Sequence, residues 1–278
     1  MQINYCCPFW GSEQSGVASF FDSLKTASYT GVEVFLNDDI DFVTEFIAKV
    51  EDAIDENKNF TFIIQHITPY QPGSVKNYIE EFEKQLIKLT AYKPDFINSH
   101  TGKDFLSFDE NCRIIEASLN ISVKNGVRIF HETHRGRFSF HAASLIPYLK
   151  KFPEMELVGD FSHFCTVSES MLHDQEEIIN QIIPHVSHIH ARIGHEQAPQ
   201  VNDPFAPEWN NHFIMFERWW QQIIQHKKQT GWKNFTITPE FGPAPYMPSL
   251  PFTQQPIGNQ WAINYKMMHH LKNIFHDS

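Results

Sequence analysis

Short runs of β-branched and aromatic residues recur along the chain, separated by longer stretches whose apolar positions return every three or four residues. The short runs predict strands at INYCC (3–7), GVEVF (31–35), FTFII (60–64), DFINSH (95–100), GVRIFHE (126–132), ELVGDF (156–161), SHIHAR (187–192) and FTITPE (235–240). The longer stretches predict helices over 40–58 and 75–92, with weaker helical patterns over 111–125 and 176–186. In 75–92, Tyr78, Ile79, Phe82, Leu86 and Leu89 fall at helical spacing. A strand begins roughly every thirty residues, the length of one strand, one helix and two short loops. That alternation implies a parallel sheet with helical crossovers. Eight such units in 278 residues predict a closed (β/α)8 TIM barrel, with an open doubly wound sheet as the competing arrangement. No linker divides the sequence, so residues 1–278 read as one barrel domain. Two irregular stretches, 194–213 and 241–260, follow the last two strands and would lie on the carboxyl face, where barrels build their active sites.

A formal charge of −11 argues against nucleic acid as a partner, because phosphate contacts need a positive surface. No run of about 20 apolar residues is available to span a bilayer. The start, MQINYCCPFW, lacks the basic region and apolar run of a signal peptide. Cys6, Cys7, Cys112 and Cys165 have no disulfide-framework or zinc-ribbon spacing, and Cys6 and Cys7 are expected on opposite faces of a strand. These features read as a cytoplasmic protein in a reducing compartment.

The later strands carry the chemistry. The fifth ends in Glu132, the sixth in Asp160, the seventh contains His190 and the eighth ends in Glu240. Four consecutive strands thus deliver a metal-competent side chain at one level of the barrel. Carboxylates with one imidazole suit a divalent ion, Mn2+ foremost, with Mg2+, Co2+ or Zn2+ as alternatives. In HIHARIGHEQ (188–197), strand parity sets His188, His190 and Arg192 on one face and Ile189, Ala191 and Ile193 on the other. On that pattern His190 is the expected ligand and His188 a buried neighbour. Asp160 has a second reading as a helix cap or turn residue. Arg135, Arg137 and Arg192, with Lys103 nearby, predict a basic rim able to attract an anionic substrate despite the overall charge.

The strand-end glutamate of HETH, the D-x-x-H of DFSH (160–163), the H-x-H of HIHAR and the closing glutamate of TPEFG together resemble the xylose isomerase-like superfamily of TIM barrels. That superfamily includes sugar phosphate isomerases/epimerases, ketose 3-epimerases, hydroxypyruvate isomerase and endonuclease IV. The resemblance implies that Glu132 and Glu240 are both metal ligands and the catalytic acid/base pair, with Asp160 and His190 completing the metal site. It also implies substrate contacts by His163 and Arg192, and barrels of this kind often form homodimers. His100 and Arg135, at the ends of neighbouring strands, are expected to join them around the substrate. Ketose 3-epimerases carry a second glutamate soon after the fifth strand; here the sequence runs HETHRGRF, which departs from a free-ketose epimerase. His66 and His100 match strand-end positions that bind further zinc in endonuclease IV, but the seventh-strand loop lacks the run that goes with them.

The expectation is a metal-dependent sugar or sugar phosphate isomerase/epimerase working by proton transfer through a metal-stabilised enediolate. A dehydratase of an inosose or dehydroshikimate-like acid is the alternative. An endonuclease IV-like nuclease and a non-catalytic sugar-binding barrel are the remaining readings.

Overall fold

Eight parallel strands follow one another around a closed ring in chain order: β1 (Gln2–Pro8), β2 (Gly31–Phe35), β3 (Thr61–His66), β4 (Phe96–Ser99), β5 (Arg128–Glu132), β6 (Leu157–Gly159), β7 (Val186–His190) and β8 (Asn234–Thr238). The computed structural model describes residues 1–70 and 73–275. The ring closes where Gln2, Ile3, Asn4 and Tyr5 of β1 pair with Asn234, Phe235, Thr236 and Ile237 of β8. The open doubly wound sheet is thereby excluded.

The crossovers are α1 (Val17–Thr26), α2 (Ile40–Glu56), α3 (Val75–Thr90), α4 (Phe108–Asn125), α5 (Ala142–Lys151), α6 (Phe161–Ser168), α7 (Glu176–Ile182) and α8 (Asn210–Gln229), and α9 (Gln260–Phe275) follows β8. Among the described residues no helix is long and apolar enough to cross a membrane. The helical pattern over 176–186 breaks early: α7 stops at Ile182, and Val186 already pairs with Leu157 as β7 begins. Pro184 accounts for the break, since its ring lacks the N–H that a continuing helix needs. The stretch 194–213 is irregular only as far as Ala206, after which a single 3-10 turn (Pro207–Trp209) leads into α8.

Strand alternation sorts side chains into two apolar sets. Outward-facing Val32, Val34, Ile64, Ile97, Ile129, Leu157, Ile189 and Ile237 join the large core beneath the helices. Inward-facing Cys6, Ile63, Phe96, Phe130 and Val158 form a separate small cluster, with Phe96 stacked on Phe130 at 4.2 Å. Cys6 belongs to the inner cluster and Cys7 to the outer core, as parity predicts. The barrel also encloses polar side chains, and these build the candidate site.

Candidate metal centre and substrate cavity

Glu132 closes β5, Asp160 directly follows β6, His190 closes β7 and Glu240 lies just past β8. Backbone pairing at the carboxyl ends of these strands brings them together: one ligand atom from each of the four lies within 4.8 Å of all the others, and all four residues are buried. His190 Nδ1 is 2.9 Å from Glu240 Oε2 and 3.7 Å from Glu132 Oε2. Asn98 Nδ2 donates to Glu132 Oε2 at 2.8 Å, and Gln65 Nε2 donates to Glu240 Oε1 at 3.0 Å. The carboxamides of β3 and β4 therefore fix carboxylates that β5 and the segment after β8 supply.

The donor set fits a divalent cation. Buried carboxylates this close repel one another strongly unless positive charge lies among them. Despite its contacts, His190 Nδ1 has no hydrogen-bond partner. Its other nitrogen, Nε2, sits 3.0 and 3.1 Å from the two oxygens of Glu33. A carboxylate that accepts a hydrogen bond from Nε2–H leaves the Nδ1 lone pair for a metal, the usual arrangement around a metal-bound histidine. Burial works to lower the basicity of His190, yet Glu240, Glu33 and Glu132 hold it well above the ordinary imidazole range. That reversal expresses how strongly the site demands a positive charge.

Glu33 is a candidate site residue that sequence reasoning missed. It also accepts from Thr238 Oγ1 at 2.6 Å and from Asn98 Nδ2 at 3.1 Å. Burial raises its pKa, but His190 and His188 overcome this and hold the carboxyl well below its usual range. His188 is the buried neighbour its position suggests: Nδ1 meets Thr236 Oγ1 at 2.6 Å and Nε2 meets Thr238 Oγ1 at 3.1 Å. Both of its ring nitrogens are occupied.

Asp160 is the helix cap that one of its readings expected, and its second oxygen faces the site. Its Oδ1 caps α6 by accepting from Ser162 N at 3.0 Å, while Oδ2 pairs with Arg192 Nη2. Burial pushes the Asp160 carboxyl up to about 6, with Arg192 opposing it. Arg192 is only 2% exposed, and Nη1 lies 3.5 Å from Glu240 Oε2. Its guanidinium lies over the ring of Tyr246 at 4.7 Å. His163 is fully buried, with Nε2 3.0 Å from Arg192 Nη2 and its ring 3.9 Å from that of His134. Burial first, then His134 and Arg192, keep His163 well below the ordinary histidine range, hence neutral.

Above the four residues opens a cavity of about 680 Å3, lined in part by Glu132, Glu240, His100, His134, Arg137 and Arg192. Apolar walls come from Phe9, Trp10, Phe42 and Tyr246. Of the expected substrate contacts, His100 and Arg192 line this cavity. His163 is not among its lining residues but stands behind, against Arg192 and His134. Arg135 is also outside the lining, with its guanidinium 5.1 Å from the Tyr246 ring centre, and Arg137 supplies the cation from that loop. His100 Nε2 lies 2.9 Å from Glu132 Oε2. His66 does not join it: Ser99 Oγ at 3.0 Å and Thr68 Oγ1 at 2.9 Å take both of its ring nitrogens.

The segment carrying Glu240 is held from both sides. Gln200 accepts from Gly242 N at 2.7 Å and donates to Gly242 O at 3.1 Å. Asn264 of α9 does the same for Phe241, at 2.8 and 2.9 Å. Side-chain amides thus supply backbone hydrogen bonds that this loop does not make as part of a sheet.

No protein-family model matches the sequence, and no curated protein matches it either. Solved structures do match over nearly the whole chain. The probable 3-DHS dehydratase AsbF of Bacillus anthracis, involved in petrobactin synthesis, is 16% identical, covers 97% of this chain and 99% of its own, and superposes with a TM-score of 0.63. The 3-keto-D-glucoside 4-epimerase YcjR of E. coli is 13% identical over 98% of this chain and 99% of its own, with a TM-score of 0.55. A xylose isomerase-like TIM barrel protein from Mycobacterium smegmatis, in complex with magnesium, is 10% identical over 97% of each chain, with a TM-score of 0.58. At these identities the likeness is one of fold.

Proposed function

We propose that this chain, whose fold is that of the xylose isomerase-like TIM barrels, is a divalent-metal-dependent isomerase or epimerase of a sugar or sugar phosphate. The observation that carries this reading is the convergence of Glu132, Asp160, His190 and Glu240, with two of those carboxylates, Glu132 and Glu240, also facing the cavity.

A proton on the carbon beside a carbonyl is too weakly acidic to leave unaided near neutral pH. Glu132, Asp160, His190 and Glu240 would hold a divalent ion, Mn2+ foremost among the candidates, which would supply positive charge to polarise the carbonyl. Glu132 and Glu240 come from strands three apart around the ring, so they approach a bound molecule from different directions. One takes the proton and the other returns it, at the same carbon for an epimer or at the neighbouring one for an isomer. Asn98 and Gln65 keep the two carboxylates in place, and Glu33 orients His190. The aromatic wall of Phe9, Trp10 and Tyr246 offers a stacking face to a sugar ring and keeps water away from the exchanging proton.

A second reading is loss of water from a sugar-like acid, starting from the same proton abstraction. It is favoured by the position of His100, which lines the cavity beside Glu132 and could protonate a departing hydroxyl. The B. anthracis protein of similar fold is described as a probable dehydratase.

The test is to strip the protein with a chelator, reload it with Mn2+, Mg2+, Co2+ or Zn2+, and incubate it in D2O with a panel of keto sugars and their phosphates. Proton NMR should show deuterium beside the carbonyl together with an isomer. Glu132→Gln and Glu240→Gln should each slow exchange by roughly 100-fold or more. An ultraviolet-absorbing conjugated product without an isomer would favour dehydration. Failure to bind metal, with no exchange in any substrate, would overturn both readings.

A further inference from the structure

We propose that Arg137 forms an oxyanion subsite at the cavity wall, so that the substrate of this site is a sugar acid or a sugar phosphate, not a neutral sugar. This deepens the proposed function and rests on the cavity assigned there. Arg137 lines the same cavity as Glu132 and Glu240. Its Nε and Nη1 are buried and have no hydrogen-bond partner. Arg192, the other arginine of the lining, is already engaged by Asp160 and Glu240. Arg137 forms no ion pair among the described residues, and the acidic groups close enough to influence it, Tyr78, Glu132, Asp104 and Tyr246, make no hydrogen bond to it.

A guanidinium left in this state is costly unless a ligand completes it, because buried donors without acceptors lose their hydration for nothing. Its planar fork matches the geometry of a carboxylate or phosphate. The loop presents it in fixed form. Arg137 N donates to His134 O at 3.2 Å and Phe140 N donates to Arg137 O at 3.1 Å. Gly136 takes the positive φ of 75° that the turn requires, and Phe138 is buried against Tyr148 and His131. Ser139 Oγ donates to the backbone oxygen of Glu132, tying this loop to the residue that begins it. The ring of the substrate then lies between the cation and the ligand set, its charged end at Arg137 and its carbonyl end at Glu132 and Glu240.

The experiment measures binding of D-glucose, D-gluconate and D-glucose 6-phosphate to the full-length protein by calorimetry, with and without added Mn2+. At least one of the two anions should bind about tenfold or more tightly than glucose without metal, and the stronger of them distinguishes carboxylate from phosphate. Arg137→Gln should erase that preference with Mn2+ stoichiometry unchanged, and Arg137→Lys should retain part of it. Equal binding of all three probes, or an anion preference that survives in Arg137→Gln, would overturn the subsite. Failure of the wild type to bind Mn2+ would instead count against the proposed function and leave the anion result standing.

Discussion

Glu33 is 1% exposed in the middle of β2 and makes hydrogen bonds to His190, Thr238 and Asn98. Its role follows from what it accepts: a proton on His190 Nε2 that would otherwise be free to move to Nδ1. Glu33→Gln should therefore weaken divalent-metal affinity by roughly 10- to 100-fold, the usual effect of losing a carboxylate behind a ligating histidine. Isothermal titration with Mn2+ checks this, and unchanged affinity would remove Glu33 from the account. The sequence held a signal for it, since a charged residue inside an apolar strand is costly unless a partner awaits it. That signal could not name the partner, which comes from β7, 157 residues further along the chain. Arg137 shows the same limit from the other side. A basic rim was legible in HRGR, but which arginine turns inward depends on the φ of Gly136 and the seat of Phe138.

At the level of elements, all eight strands were legible because short β-branched runs separated by helical patterns leave few other arrangements. Helix boundaries were less so. The helical pattern read from 111 begins in fact at Phe108, behind a reciprocal cap in which Ser107 and Glu110 each bond the other's backbone N–H. Ser107→Ala should lower unfolding free energy by about 1 kcal/mol without affecting metal binding, as read from urea melts. Gly31 carries a tighter constraint. A Cβ there would come within 2.7 Å of both Cys6 Sγ and the backbone oxygen of Thr61. The sulfur can shift but the backbone oxygen is held in the sheet, so Gly31→Ala should destabilise the barrel by roughly 1–3 kcal/mol in the same measurement. The helix at Phe161–Ser168 escaped notice because it is short, and its cap, Asp160, was assigned to the site. Asp160 caps that helix and also lies within the candidate ligand group, a combination that sequence spacing alone cannot reveal.

For the whole molecule, closing the ring is what turns separated residues into one centre: β1 pairs β8, and the polar ends of β5 to β8 face a common interior. The same closure buries histidines away from water. His66 is held neutral down to about 3, against an ordinary value of 6.5, mainly by burial. Between those two values the unfolded chain binds the proton that the folded chain refuses, so this stability is fully present above about pH 6.5 and is lost as pH falls toward 3. Chemical melts across pH 4–7 should show His66→Gln losing stability with acid less steeply than the wild type; parallel slopes would contradict it.

The central claim, a divalent ion held by Glu132, Asp160, His190 and Glu240, is tested most directly by anomalous diffraction from crystals soaked in Mn2+. The account predicts one strong peak within bonding distance of all four side chains, with His190 meeting it through Nδ1. No peak there, or a peak held by His100 and His134 without Asp160 and His190, would contradict it.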